Sequence, residues 1–173
     1  MLLTLPSSLP GDEKSLDLIQ SLLTGTPQPF SREQFHPGHI TATGLVFHPH
    51  IPAVAMVLHA RLQRWLLPGG HVEPNDPSIL AAAAREVHEE TGLLVEGGSI
   101  VGADVHPIPA RCRDGQLIEP YHYHHDILVA FRANTAELSL SGESLDLRWV
   151  SPAEFDAFAV PPNIRRAYTR AAQ

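Results

Sequence analysis

Residues 76–92, DPSILAAAAREVHEETG, constrain the fold more tightly than any other stretch of the chain. Asp76 offers an N-cap, Pro77 fits the first helical position, and Gly92 suits a left-handed residue just past the end, so the spacing predicts one helix. At 100° per residue, Leu80, Ala83, Ala84, Val87 and Thr91 fall on one arc of about 100°, the predicted core face. Its alanines allow close approach to a sheet. Arg85, Glu86, Glu89 and Glu90 occupy the other side. Glu86 lies three residues from Glu89 and four from Glu90, so the three carboxylates are neighbours. Each like-charge pair costs about a few tenths of a kcal/mol, and the helix dipole disfavours anions near this end. A solvated acidic face tolerates such a cost, whereas a cation between the carboxylates reverses it. Oxygen-only ligands select a hard ion such as Mg2+ or Mn2+, and Mg2+ leaves positions for water and substrate phosphate. The preceding LPGGHVEPND adds two adjacent glycines, whose backbone can approach a ligand closely and offer a carbonyl.

The flanking sequence predicts a mixed α/β domain. Residues 12–24 place Leu16, Ile19, Leu22 and Leu23 at helical spacing, with Asp12 and Glu13 favourable at the N-terminus. GTPQPFSREQFHPGH has the composition of a connecting loop. ITATGLVFH and AVAMVLHA, separated by PHIP, are strand-like, as is the short RWLLPGG. After the acidic helix come SIVGADVHPIPA, YHYHHDILVAFRA and LDLRWV, all rich in strand formers. Ser151 and Pro152 suit a helix start, and a last helix is predicted from about Asn163.

Charge and cysteine content narrow the function classes. A formal net charge of −7 over 173 residues argues against a nucleic-acid backbone binder, although a bound cation can bring a small phosphorylated ligand to an acidic site. Cys112 is the single cysteine, so no intramolecular disulfide forms and a reducing, cytoplasmic setting is expected. The N-terminus lacks a basic n-region, and no stretch approaches the roughly 20 apolar residues that cross a bilayer, so no membrane partner is expected.

Residues 69–93, GGHVEPNDPSILAAAAREVHEETGL, resemble the Nudix box of the Nudix hydrolases, G-x5-E-x7-R-E-U-x-E-E-x-G-U with U a bulky apolar residue. Gly70 matches the first glycine. Arg85, Glu86, Val87, Glu89, Glu90, Gly92 and Leu93 match the second half in full. Asp76 stands where the family has Glu, and eight residues rather than seven separate it from Arg85, so its part is open between helix cap and catalytic support. The resemblance covers about residues 38–160. It implies a Nudix-type α/β/α sandwich with a mixed β-sheet over 38–173, plus an added N-terminal helix within 1–37. It also implies Mg2+ (or Mn2+) held by Glu86, Glu89, Glu90 and the Gly70 carbonyl, with Arg85 orienting a carboxylate. The implied reaction is hydrolysis of a diphosphate linkage in a nucleoside diphosphate derivative, with a small nucleotide-type molecule as partner and a homodimer as one assembly such proteins use. The catalytic base is either a box carboxylate, Glu86 being the candidate, or Glu143, six residues before Trp149. A prenyl-diphosphate isomerase shares the fold but resembles a Cys and Glu pair that Cys112 alone matches poorly. A ligand sensor lacking activity would lack the carboxylates present here.

Two further groups are candidate substrate contacts. On a strand, His122, His124 and Asp126 face one way, while Tyr121, Tyr123 and His125 face the other. The first set suits hydrogen bonding or stacking against a base or sugar, a half-exposed strand face, or a separate Zn2+ site for which no distant fourth ligand is indicated. Arg61 and Arg64 suit terminal phosphates and Trp65 suits stacking, against the alternative of a hairpin with exposed arginines and a packed Trp.

Overall fold

A computed structural model describes residues 3–142 and 144–173 of the chain. Strand β1 (Gly38–Phe47) is buried on both faces along nearly its whole length, its polar His39 and Thr41 included. It pairs in parallel with β8 (His122–Ala133), from Gly38 opposite Tyr123 to Phe47 opposite Arg132. β2 (Val54–His59), β3 (Arg64–Leu66) and β4 (Gly69–His71) extend one side, and β5 (Val95–Ile108) the other. The mixed seven-stranded sheet runs β3-β2-β1-β8-β5, with β4 on β1 and β9 (Ser144–Val150) on β2. A separate exposed hairpin joins β6 (Arg111–Arg113) to β7 (Gln116–Glu119).

Helices cover both faces, which is the expected α/β/α arrangement. Helix α1 (Glu13–Gly25) contributes Ile19 and Leu22, and α2 (Ile79–Thr91) contributes Ile79, Ala82 and Ala83, to one core with Ile40, Ala42, Ile127, Val129 and Phe131. On the opposite face, Ala167 of α3 (Pro162–Ala171) packs with Phe155, Leu45, Met56 and Leu128. Gly44 lets α2 lie directly on β1, because a Cβ there would meet Val87 Cγ2 at 2.3 Å. No helix among the described residues is long and apolar enough to cross a membrane.

Two expectations for α2 need correction. Ser78, not Asp76, is the N-cap, with its Oγ accepting from the Ala81 amide at 3.1 Å. Asp76 is committed to a tertiary partner and is therefore lost to capping. The buried residues are Ile79, Ala82, Ala83, Val87 and Thr91, while Leu80 and Ala84 are half-buried. On the wheel, Glu86 then falls between Ala82 and Ile79, and Glu90 between Ile79 and Ala83. The stripe facing the sheet is thus apolar in its first turn and acidic in the next, where the glycine strand β4 lies beneath it. Gly92 ends the helix with φ 71°, as predicted.

Asp12, expected merely to favour the start of α1, instead ties the N-terminal segment to α3. Its 1%-exposed carboxylate accepts from Arg166 Nη2 at 2.6 Å and Arg170 Nη1 at 3.4 Å. Arg170 also donates to the carbonyls of Val101 and Pro10. The two arginines are partly exposed and rehydrate if the acid is removed. Asp12→Ala should therefore cost about 1.5–3 kcal/mol, the usual worth of hydrogen bonds to charged groups. Urea unfolding should show a lower midpoint with an unchanged slope.

Candidate active site

Arg85 organises the acidic stretch. Its Nε and Nη2 donate to the two carboxylate oxygens of Asp76 at 3.1 and 2.9 Å, a fork that matches a carboxylate in its plane. Nη2 also donates to the His71 carbonyl at 2.9 Å, while Nη1 reaches Glu86 at 2.9 Å and Glu89 at 3.0 Å. Asp76 is held in turn by the Glu73 amide at 2.8 Å. One guanidinium therefore fastens the loop before α2, strand β4 and two of the three box carboxylates.

Strand β4 shapes the other side. The Gly69 amide donates to Glu90 Oε2 at 3.0 Å. Gly70 lies so close to Glu86 that a Cβ would stand 2.7 Å from Oε2. Glu86 is 15% exposed and Glu89 54%. Burial pushes the Glu86 carboxyl above the ordinary range, although Arg85 pulls the other way. For Asp76, burial opposes ionisation, but the Arg85 hydrogen bonds and the Glu73 amide outweigh it and hold the carboxyl below its ordinary value. The Asp76 pairings raise the Arg85 pKa, with burial opposing.

These residues floor a cleft of about 1900 Å³. Arg61 and Arg64 stand on one rim, with Asp104, His106, His124 and Asp126 on a wall formed by β5 and β8. Asp126 Oδ1 accepts from Thr41 and Thr43 Oγ1, each at 2.9 Å, and burial raises its pKa against those bonds. His106 Nδ1 lies 3.0 Å from Asp104, which raises the imidazole pKa.

The sequence matches the NUDIX domain family over residues 39–171. The chain belongs to the NUDIX family. Solved structures share the fold. A NUDIX hydrolase from Nitrosomonas europaea is similar at TM-score 0.57 and 18% identity, over 77% of this chain and 87% of that one. The NUDIX domain of Shewanella oneidensis NrtR, complexed with ADP ribose, is similar at TM-score 0.56 and 16% identity, over 88% and 96%. An 8-oxo-(d)GTP phosphatase of Mycolicibacterium smegmatis is 38% identical over 66 residues, which are 38% of this chain and 20% of that relative. The match thus spans about a fifth of the curated relative's length.

Within the Nudix box, the Asp76 departure resolves into a positional one. The shorter acid and the extra residue still deliver a bidentate pair to Arg85. Nudix hydrolases generally use divalent metals, and the donors here fit a hard cation. They are Glu86, Glu89, Glu90 and the Gly70 carbonyl, all oxygens, with the missing Gly70 side chain opening the space beside Glu86.

The other candidate residues are distributed unevenly. Arg61, Arg64, His124 and Asp126 line the cleft. Trp65 lies off the lining, packed on Phe158 with its ring centroid 5.0 Å away and Arg148 over its face. His122 is buried behind His124, its centroid 5.3 Å away. Glu143 lies outside the described residues. Sequence reasoning missed His39 and His71, whose rings stand 5.0 Å apart and within 5.2 Å of His124. The parallel register that sets His39 beside His124 and the antiparallel register that sets His71 beside Thr41 bring them together. Burial, with lesser repulsion from neighbouring rings, pushes His39 down to about 4 and His124 to about 2, so both are neutral at pH 7.

Because the fold raises the Glu86 pKa, ionised Glu86 costs stability as pH rises through the interval between its unfolded and folded values. Glu86→Gln should therefore melt higher than wild type at pH 7 in the presence of a chelator. The difference should vanish once pH falls below the ordinary carboxylate range, as thermal denaturation across pH will show.

Proposed function

We propose that the chain is a Mg2+-dependent pyrophosphohydrolase that cleaves the diphosphate linkage of a nucleoside diphosphate derivative, with Mn2+ able to substitute. The observation that carries this reading is the Arg85 fork, which holds Glu86 against Gly70 on the floor of a cleft rimmed by cationic side chains. Glu86, Glu89, Glu90 and the Gly70 carbonyl would hold the ion, which when bound neutralises phosphate oxygens and acidifies water. Arg85 fixes the geometry of Glu86 and Glu89. Glu86, held on the cleft floor by Arg85, is the first candidate to take the proton of the attacking water. Glu143 is the second candidate for that role. Arg61 and Arg64 meet the terminal phosphate, where their fixed charge stabilises charge on the leaving group.

The cleft wall supports a nucleoside as the remaining moiety, since Asp104, His106, His124 and Asp126 offer donors and acceptors to a base or sugar. Exposed Cys112 sits on the β6–β7 hairpin off the cleft lining, which disfavours isomerase chemistry built on a cysteine. Retention of all three box carboxylates disfavours a sensor without activity. A lone cysteine suits a reducing cytoplasm.

The names of the relatives select the first compounds, 8-oxo-dGTP and ADP ribose, alongside dinucleoside polyphosphates and sugar nucleotides. With Mg2+, at least one should be cleaved at a pyrophosphate bond. Glu89→Gln and Glu90→Gln should each lower kcat by about 100-fold or more, as expected when a preorganised electrostatic contact to the transition state is removed. If every compound stays intact, or the variants match wild type, the proposal fails.

A further inference from the structure

Beside the carboxylate floor lies a second cluster of a different chemical kind. His39, His122 and His124 each present a ring nitrogen within 4.8 Å of the other two. In each the Nε2 atom is buried and has no hydrogen-bond partner. Three buried ring nitrogens gathered in one place with no protein partner call for a ligand that accepts their lone pairs.

The other nitrogens show how the rings are aimed. His39 Nδ1 donates to the Gln34 carbonyl at 3.2 Å, and His122 Nδ1 donates to the Pro120 carbonyl at 2.8 Å. A carbonyl only accepts, so each of these rings places a proton on Nδ1, which in the imidazole form leaves the lone pair on the unpartnered Nε2. An imidazole whose far nitrogen is pinned by a backbone carbonyl is the usual arrangement of a metal-ligating histidine. The nearest carboxylate is Glu119, with Oε1 3.6 Å from His122 Nε2 and Oε2 3.2 Å from Arg111.

We propose that His39, His122 and His124 form a binding site for a divalent transition ion of the Zn2+ class, separate from the carboxylate site and flanked by Glu119. Nitrogen donors in this number reject Mg2+ and select Zn2+ or its first-row neighbours. With Zn–N distances near 2.0–2.1 Å, tetrahedral ligands stand roughly 3.3 Å apart, so the rings close by at most about 1.5 Å, within reach of side-chain rotation. The ion would tie together the first residues of β1 and β8, which already pair side by side. The site lies beside the cleft wall that His124 lines. The two sites adjoin through His71, whose ring touches this cluster and whose carbonyl accepts from Arg85.

The test uses tag-free full-length protein stripped with a chelator, then titrated with ZnCl2 against a chromophoric competitor. One equivalent should bind, and X-ray absorption at the zinc edge should show scattering from three imidazoles. His122→Gln and His124→Gln, checked for folding by circular dichroism, should bind more than about 100-fold more weakly, beyond the loss caused by removing a supporting partner. The Glu89→Gln/Glu90→Gln double variant should retain zinc affinity. Absence of stoichiometric zinc, oxygen-only scattering in wild type, histidine variants that bind as wild type, or loss of zinc in the glutamate variant would each overturn the proposal. If the histidine variants do not fold, the wild-type absorption spectrum decides alone.

Discussion

The contact on which the site depends is the Arg85 guanidinium in its ring of acceptors. Three carboxylates on the last turns of a helix repel one another and oppose its dipole. A rigid, always-charged fork offsets both effects by supplying donors to Asp76, Glu86, Glu89 and the His71 carbonyl at once. The same group that relieves the repulsion also fixes where two of those carboxylates point. Arg85 thereby turns an acidic patch into a shaped one.

That contact relies on the sheet beneath it. Gly44 lets α2 settle on β1, Gly70 lets Glu86 settle against β4, and the Gly69 amide holds Glu90. Burial follows, and with it the raised proton affinity of Glu86. A site built this way is less stable than an apolar one would be, a cost common where chemistry needs buried charge. The apolar first turn of α2, sharing a core with α1, provides the compensating packing.

Much of this was legible in the chain. The glycines before the helix, the spacing of Arg85 and the glutamates, and Gly92 at its end define the site and its likeness to the Nudix box. The start of the helix was not legible, because Asp76 and Ser78 are equally good caps and a tertiary partner, Arg85, decides between them. The wheel also misjudged depth: it set the glutamates opposite the core, whereas Glu86 and Glu90 are half-buried, Gly70 making room for Glu86 and the Gly69 amide holding Glu90. The histidine cluster was half visible in YHYHHD. Its third member, His39, is distant in sequence and joins only through the parallel pairing of β1 with β8. Trp65, a stacking candidate by composition, packs instead on Phe158, a contact no local pattern encodes.

On the proposed reading, the geometry of the Arg85 fork, beyond its charge, organises a metal-dependent site. Arg85→Lys keeps the charge and removes the planar fork. The decisive measurement is steady-state hydrolysis by this variant across a Mg2+ titration, with circular dichroism to confirm the fold. The variant should fold and its kcat should fall by about 100-fold even at saturating Mg2+, as misplacement of catalytic groups by about 1 Å would produce. A folded lysine variant with the kcat and Mg2+ dependence of wild type would contradict that reading.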